Sequence, residues 1–117
     1  MNKLDIIKSE VKFVLANPVM YPQPICVPKL VKIVSDKTPV IDVEIRDAVR
    51  RLVVEDKMFI CSGDKGFYIP RNLDEFIEGR DWLMYRINPL WERIKVLEGL
   101  AREQFGYKLN VSQGELF

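Results

Sequence analysis

The sequence contains no histidine in its 117 residues. Histidine is the side chain that most readily gains or loses a proton near neutral pH, so the commonest acid–base group of enzymes is missing. Its two cysteines, Cys26 and Cys61, do not have CxxC spacing, and without histidine they cannot complete a usual zinc-ligand set. We therefore expect each cysteine to be a small buried apolar residue.

A phosphate-binding loop of the form GxxxxGK[ST] is also missing. The segment Gly63–Gly66 has glycine and lysine but lies between two β-type runs, whereas such a loop joins a strand to a helix. Neighbouring acids such as Asp74 and Glu75 fit the start of a helix, where the dipole favours them. From the sequence, no basic side chain can be placed beside Cys61 to activate its thiol. These observations predict a protein that is not an enzyme and holds no cofactor or metal ion.

Long hydrophobic runs are absent, since no stretch approaches about eighteen uninterrupted apolar residues. The beginning of the chain, MNKLDIIKSEVKF, has neither the apolar region nor the small-residue cleavage site of a signal peptide. We therefore expect no membrane contact and a cytoplasmic location.

An excess of charge of one sign is absent as well. Lys and Arg number 18 and Asp and Glu 17, for a formal net charge of +1. This balance excludes both a strongly basic nucleic-acid binder and an acidic mimic of DNA, so any electrostatic recognition depends on local clustering. Hydrophobic residues make up 48% of the chain, which predicts one globular core, at most with a helical appendage.

Apolar residues recur at helical spacing in three segments of the first half. The first runs from Leu4 to Ala16 and ends before Pro18, because the residue before proline is pushed out of helical geometry. The second starts near Pro28, which suits a first helical turn, and reaches Lys37. The third runs to about Asp56 from one of two starts, Thr38-Pro39 or Asp42.

Two short β-type runs follow, MFICSG and GFYIP, joined by Ser62–Gly66 with glycine where a positive φ is needed. Asn72 followed by Glu75 is an N-cap and capping-box pattern for a fourth helix, Leu73–Phe105. Within that helix Pro89 predicts a kink or a break, and Gly106 is a suitable C-cap.

Three helices followed by a hairpin with a Gly-Asp-Lys-Gly tip resemble small winged helix-turn-helix proteins of bacteriophages and mobile elements of Gram-positive bacteria. VEIRDAVRRLVVEDKMFICSGDKGFYIP carries the resemblance, which covers roughly residues 4–70. It implies an α+β, mostly α fold with a winged-helix domain over residues 1–70. A long C-terminal helical extension over 71–106 and a flexible tail over 107–117 would follow. If a phage encodes the chain, its location is the host cytoplasm.

The resemblance implies contact with duplex DNA through the third helix, which such proteins place in the major groove. Arg46 and Arg50 lie one turn apart on its exposed face, where arginine can contact guanine or hold a phosphate. Arg51 follows on the same helix, and Lys65 at the hairpin tip would reach a neighbouring backbone. The alternative is an ordinary solvated helix, because Asp47 has i,i+4 spacing to Arg51.

The last five residues, QGELF, resemble the sliding-clamp-binding motif of bacterial replication and repair proteins, which has the form Gln-x-x-Leu-Phe. The resemblance implies that Gln113 hydrogen-bonds at the rim of a hydrophobic pocket on the clamp, with Leu116 and Phe117 as buried anchors. Gly114 and Glu115 depart from the residues preferred at those two positions. The alternative is that Leu116 and Phe117 fold back onto the long helix.

Leucine and isoleucine alternate at spacings of four and three along the fourth helix and form an apolar seam. Trp91 lies beside it, and aromatic residues are favoured interface anchors. Homodimerisation would use Leu83, Ile87, Leu90, Trp91, Ile94 and Leu97. The alternative is that the helix folds at Pro89 and packs against its own winged-helix domain.

Three functions are compatible with these features. The first is a phage-type DNA-binding accessory protein linked to DNA replication, whose C-terminal peptide docks on the sliding clamp. The second is a dimeric winged-helix transcriptional regulator. The third is a protein–protein adaptor or host-factor inhibitor that does not bind DNA, and the near-neutral charge favours it.

Overall fold

The structure, a computed structural model, describes residues 1–106. Within that range the chain is α+β and mostly helical, with four α-helices and one two-stranded antiparallel hairpin, as the sequence predicted. The elements in chain order are α1 (Lys3–Leu15), α2 (Val27–Val34), α3 (Asp42–Val54), β1 (Cys61–Gly63), β2 (Gly66–Tyr68) and α4 (Leu73–Phe105).

The first three helices enclose one aliphatic core. Helices of this length are marginal alone in water, so burial of their apolar faces holds them together. Each buried Val, Leu or Ile stabilises the fold by about 1.5–3 kcal/mol relative to leaving it exposed. The side chains that are at most 2% exposed include Ile7, Val11, Val14, Leu15, Leu30, Val34, Ile45 and Leu52. Their positions follow the helical spacing of apolar residues from which the three helices were predicted.

Helix α2 is shorter than predicted, and α3 uses the later of its two predicted starts. The N–H group of Lys37 donates to the carbonyl of Val34 at 2.9 Å, a turn after α2 has ended. The backbone of Ile41 is extended, and its N–H group donates to the Glu44 carboxylate at 3.1 Å. A side chain from the third helical position thus satisfies the residue before the helix, so α3 begins at Asp42.

The hairpin is tighter than the sequence predicted. The antiparallel register ends on the pair Gly63 and Gly66, which leaves Asp64 and Lys65 as a two-residue loop. The predicted connection Ser62–Gly66 is therefore too long, because its outer residues belong to the strands. Gly66 has the expected positive φ, +129°.

A backbone bridge attaches this hairpin to the helices. Ile25, in the segment before α2, exchanges two hydrogen bonds with Phe67, each 2.9 Å long. The side-chain amide of Gln23 adds two more, because it donates to the carbonyl of Leu15 at 2.6 Å and accepts from the N–H group of Ile69 at 2.7 Å. The end of α1, the segment between α1 and α2 and the hairpin are thereby joined.

Helix α4 continues through Pro89, so the break that proline suggested does not occur. The Asn72 side chain accepts from the N–H group of Glu75 at 2.9 Å, which confirms the predicted N-cap. The Glu75 carboxylate accepts from the N–H group of Arg71 at 2.7 Å, so the reciprocal half of the capping box is displaced by one residue. Gly106 follows the helix with φ +68°, as a C-cap requires.

Gly79 marks the place where α4 packs closely on the hairpin. It is buried, and a Cβ atom added there would lie 2.9 Å from both the Cβ of Cys61 and the hydroxyl of Tyr68. Nearby, the rings of Phe59 and Phe76 meet edge to face with centroids 5.8 Å apart. Only a residue without a side chain permits this approach.

The chain divides into two compact units, Met1–Leu83 and Met84–Phe117. The first unit contains α1 to α3, the hairpin and the beginning of α4. The described part of the second unit is the remainder of α4 and Gly106. The functional division into residues 1–70, 71–106 and 107–117 stays a prediction.

Substitution of Gly66 by alanine is expected to destabilise the first unit by at least about 2 kcal/mol. Gly66 has a positive φ, and an added Cβ would overlap the carbonyl oxygen of Ile25. Its strand partner is the matched control, because an added Cβ at Gly63 finds nothing nearer than 3.6 Å. Chemical denaturation of Gly66→Ala and Gly63→Ala would measure the difference, and equal losses would contradict the explanation.

Candidate nucleic-acid interface

The buried face of α3 determines which of its side chains reach solvent. Ile45, Ala48, Val49 and Leu52 face the core and are at most 5% exposed. At about one hundred degrees per residue, the opposite face is centred on Val43, Asp47, Arg50 and Val54. The two valines are 69% and 55% exposed, so the outward face of α3 combines apolar and charged residues.

Arg46 and Arg50 are both exposed, one turn apart on α3, as the sequence predicted. Arg46 forms neither a hydrogen bond nor an ion pair with any residue of the range 1–106. Its guanidinium is therefore available for an external acceptor such as a phosphate or a guanine edge. The other two arginines of this helix, Arg50 and Arg51, both form ion pairs.

Arg50 and Arg51 share one acidic partner, Asp47. The two carboxylate oxygens of Asp47 accept separately, at 3.0 Å from Nη2 of Arg50 and at 2.9 Å from Nε of Arg51. Arg51 also contacts the carboxylate of Glu55 at 3.1 Å. The predicted i,i+4 pair of Asp47 and Arg51 is thus confirmed, and Arg50 shares the same carboxylate. Contact of either arginine with a phosphate would require a change of partner.

The same contacts set the electrostatics of the helix. Hydrogen bonds from Arg51 first and Arg50 second lower the pKa of Asp47 below its usual value. The pKa of Arg51 is raised by Asp47, and further by Glu55. At neutral pH Asp47 is therefore fully ionised, and its negative charge lies within the positive cluster of α3.

The hairpin tip exposes Lys65, as the sequence predicted, while its neighbour is held in place. The indole N–H of Trp82 donates to the Asp64 carboxylate at 2.6 Å. At the end of β2, the hydroxyl of Tyr68 donates to the carbonyl of Glu75 at 2.8 Å. Sequence reasoning missed Trp82, because no periodic signal relates one helical indole to an aspartate in a turn.

The predicted dimerisation residues lie along α4. All except Trp91 are exposed, and Trp91 is partly buried, with the ammonium group of Lys95 5.8 Å from its ring centroid. The exposed fractions run from 41% to 62% for Leu83, Ile87, Leu90, Ile94 and Leu97. The seam that was predicted from spacing is therefore an exposed apolar surface.

The predicted clamp-binding residues, Gln113, Leu116 and Phe117, lie outside the described residues. Their role stays a prediction, as does the alternative in which the last two residues fold back.

The two cysteines differ from each other. Cys61 is buried as predicted, and its burial, together with the Glu75 carboxylate, raises the pKa of its thiol. Cys26 is exposed, so the prediction for it was wrong. It precedes α2 in an extended conformation between the buried Ile25 and Val27, and alternation in such a segment turns the middle side chain outward.

No three His, Cys, Asp or Glu side chains in the described part of the chain are grouped so that they could hold a metal ion. None of the helices between residues 1 and 106 is long and apolar enough to cross a membrane. Comparison with protein-family models, with curated proteins and with solved structures finds no match to this chain. The likeness to winged helix-turn-helix proteins therefore rests on element order and local sequence.

Acid titration is expected to give Asp47 a lower pKa than that of an ordinary aspartate. Because its pKa in the folded chain is lowered, the ion pairs stabilise the fold above the unfolded pKa of about 3.9. That contribution is lost as the pH falls through the lower, folded pKa. NMR titration of the Asp47 carboxyl should give a midpoint below that of an unfolded aspartate, and Arg51→Ala should raise it. An unchanged midpoint in Arg51→Ala would contradict the stated cause.

Proposed function

We propose that this chain is a winged helix-turn-helix DNA-binding accessory protein, of the kind that bacteriophages carry, with a role linked to DNA replication. The observation that carries the proposal is the outward position of Arg46 and Arg50, one turn apart on the helix that precedes the hairpin. The exposed Lys65 at the hairpin tip supports it. In this proposal α3 enters the major groove and the hairpin contacts the adjacent backbone.

The arginines of α3 would then have different roles. Arg46 has no partner among residues 1–106 and can bind DNA without breaking an existing contact. Arg50 and Arg51 would exchange the Asp47 carboxylate for a phosphate. Since phosphate neutralisation supplies most non-specific affinity, a chain with a net charge of +1 should bind random duplex weakly.

The C-terminal peptide would bring this DNA-binding unit to the replication clamp. The proposal rests on the QGELF sequence, with Gln113 at the rim of the clamp pocket and Leu116 and Phe117 inside it. Two apolar anchors can carry most of the energy of such a small interface. A dimeric transcriptional regulator, by contrast, would act without this peptide.

A protein–protein adaptor is the second candidate, and a specific observation favours it. The outward face of α3 carries Val43 and Val54 at its two ends, and both are more than half exposed. Asp47 lies between them, and its negative charge would repel the phosphates of DNA. Apolar ends around a centre where one carboxylate offsets part of the positive charge fit the surface of a protein partner at least as well as a DNA groove.

Removal of the α3 arginines is expected to weaken duplex binding. Arg46→Ala and Arg50→Ala should each lower affinity by about tenfold at moderate salt, in line with the loss of one base or phosphate contact. The matched control is Arg80→Ala, because Arg80 has a similarly exposed side chain (52% against 58% for Arg50) and a similar ion pair, 3.1 Å from Asp81. Fluorescence anisotropy across a salt series would measure all three.

The same titration separates DNA binding from the adaptor function. Asp47→Asn removes a negative charge and frees Arg50, while Arg51 keeps only its contact with Glu55, so the substitution should raise duplex affinity and steepen the salt dependence. An adaptor instead predicts negligible binding at low salt for the wild-type chain. Equal losses in Arg50→Ala and Arg80→Ala would also count against contact through α3.

Deletion of residues 113–117 is expected to abolish binding to a purified bacterial sliding clamp. The physical reason is the loss of both apolar anchors together with the glutamine at the pocket rim. Leu116→Ala combined with Phe117→Ala should have the same effect, whereas Glu115→Ala should leave binding within about twofold. Surface plasmon resonance would measure this, and equal clamp affinity of the full and shortened chains would remove the replication role.

A further inference from the structure

The second unit presents an exposed apolar seam on one side of α4. Ile87, Leu90, Ile94 and Leu97 are 41%, 56%, 41% and 62% exposed, and they follow each other at alternating spacings of three and four. Ala101 continues the pattern four residues later. Side chains at this spacing form one nearly straight stripe along a helix. This part of the seam, formed by Ile87, Leu90, Ile94, Leu97 and Ala101, is called the stripe below. An isolated helix that leaves so much aliphatic surface in water gains free energy when a second surface covers it.

The residue types along the stripe indicate how many helices would pair. In heptad notation Ile87 and Ile94 occupy a positions and Leu90 and Leu97 occupy d positions. By sequence spacing, Leu83 is the preceding d residue. Isoleucine at a with leucine at d favours two parallel strands over three or four. Pro89 falls at a c position, on the side away from the stripe, so its ring and missing N–H group do not enter the paired surface.

A shallow hollow of about 220 Å³ lies on the same stripe, lined by Ile94, Leu97, Glu98 and Ala101. These four residues have the spacing i, i+3, i+4 and i+7. In coiled coils each a or d side chain inserts into a hole formed by four residues of the facing helix. A set made of a, d, e and the next a is the hole that faces a d residue in a parallel, in-register pair. The hollow therefore has the position required to accept Leu97 of a second copy.

The charges beside the stripe distinguish the two possible orientations. Arg93 is at a g position and Glu98 at the following e position. In a parallel pair g of one helix faces the next e of the other, so Arg93 and Glu98 attract each other twice across the axis. In an antiparallel pair g faces g, and Arg86 and Arg93 would repel each other. Charge complementarity therefore selects the parallel arrangement.

We propose that residues 87–101 of α4 form a parallel, in-register two-stranded coiled coil with a second copy of this chain. The stripe of one copy is thus covered by the same stripe of the second copy. The Arg93–Glu98 pairs between the copies determine the orientation. This inference does not depend on DNA or clamp binding, since it concerns only the surface of the second unit.

Two neighbouring residues provide a matched test of the stripe. Leu97 and Val96 are each 62% exposed, but only Leu97 belongs to it. Sedimentation of the full chain over a dilution series should give twice the mass of one 13.7 kDa chain. Leu97→Lys should weaken the dimer at least about a hundredfold, because both copies lose a buried leucine. Val96→Lys should leave the dimer constant within about threefold, since a c position stays in solvent.

Orientation is tested by reversing one charge. Arg93→Glu places like charges opposite each other in a parallel pair and should weaken the dimer by about threefold or more. Glu98→Arg added to Arg93→Glu should restore it. In an antiparallel pair Arg93→Glu would face Arg86 and strengthen association instead.

A monomer at all concentrations, or equal effects of Leu97→Lys and Val96→Lys, would overturn the proposal. Stronger association of Arg93→Glu would overturn the parallel orientation. Circular dichroism at high and low concentration, with helicity that rises with dimer formation, would show that each variant still forms the helix.

Discussion

The first unit depends on one backbone exchange, the pair of hydrogen bonds between Ile25 and Phe67. Both side chains are buried beside the helical core, so two short strands that would be marginal alone become part of it. The exchange also explains why Gly66 precedes Phe67, because only glycine lets the backbone of Ile25 approach so closely. The position of the hairpin tip follows from this contact.

Local and periodic features of the fold could be predicted from the sequence. Helical spacing identified the buried side of α3, and Asn72 identified the start of α4. The exchange between Ile25 and Phe67 could not be predicted, because a single residue pair between distant segments leaves no repeating pattern. Cys26 was wrongly assigned to the interior because the prediction used only the general preference of free cysteine for burial. The extended segment around Cys26 turns its side chain outward instead.

The candidate interface was predictable to a similar degree. Helical geometry alone placed Arg46 and Arg50 on the solvent side, and it paired Asp47 with Arg51. The spacing did not reveal that one carboxylate would engage two arginines, since this depends on rotamers that only the folded helix selects. Nor could it relate Trp82 to Asp64, because that hydrogen bond follows from the packing of α4 on the hairpin at Gly79.

The shared carboxylate of Asp47 has a consequence for selectivity. Any anionic surface that approaches α3 meets an internal competitor, which already occupies the guanidinium groups of Arg50 and Arg51. A diffuse polyanion offers little beyond its charge and displaces that competitor poorly. A ligand that also matches the shape of the helix, or that reaches Arg46 directly, gains enough additional contacts to do so. One acidic residue thus works as a filter against indiscriminate adsorption.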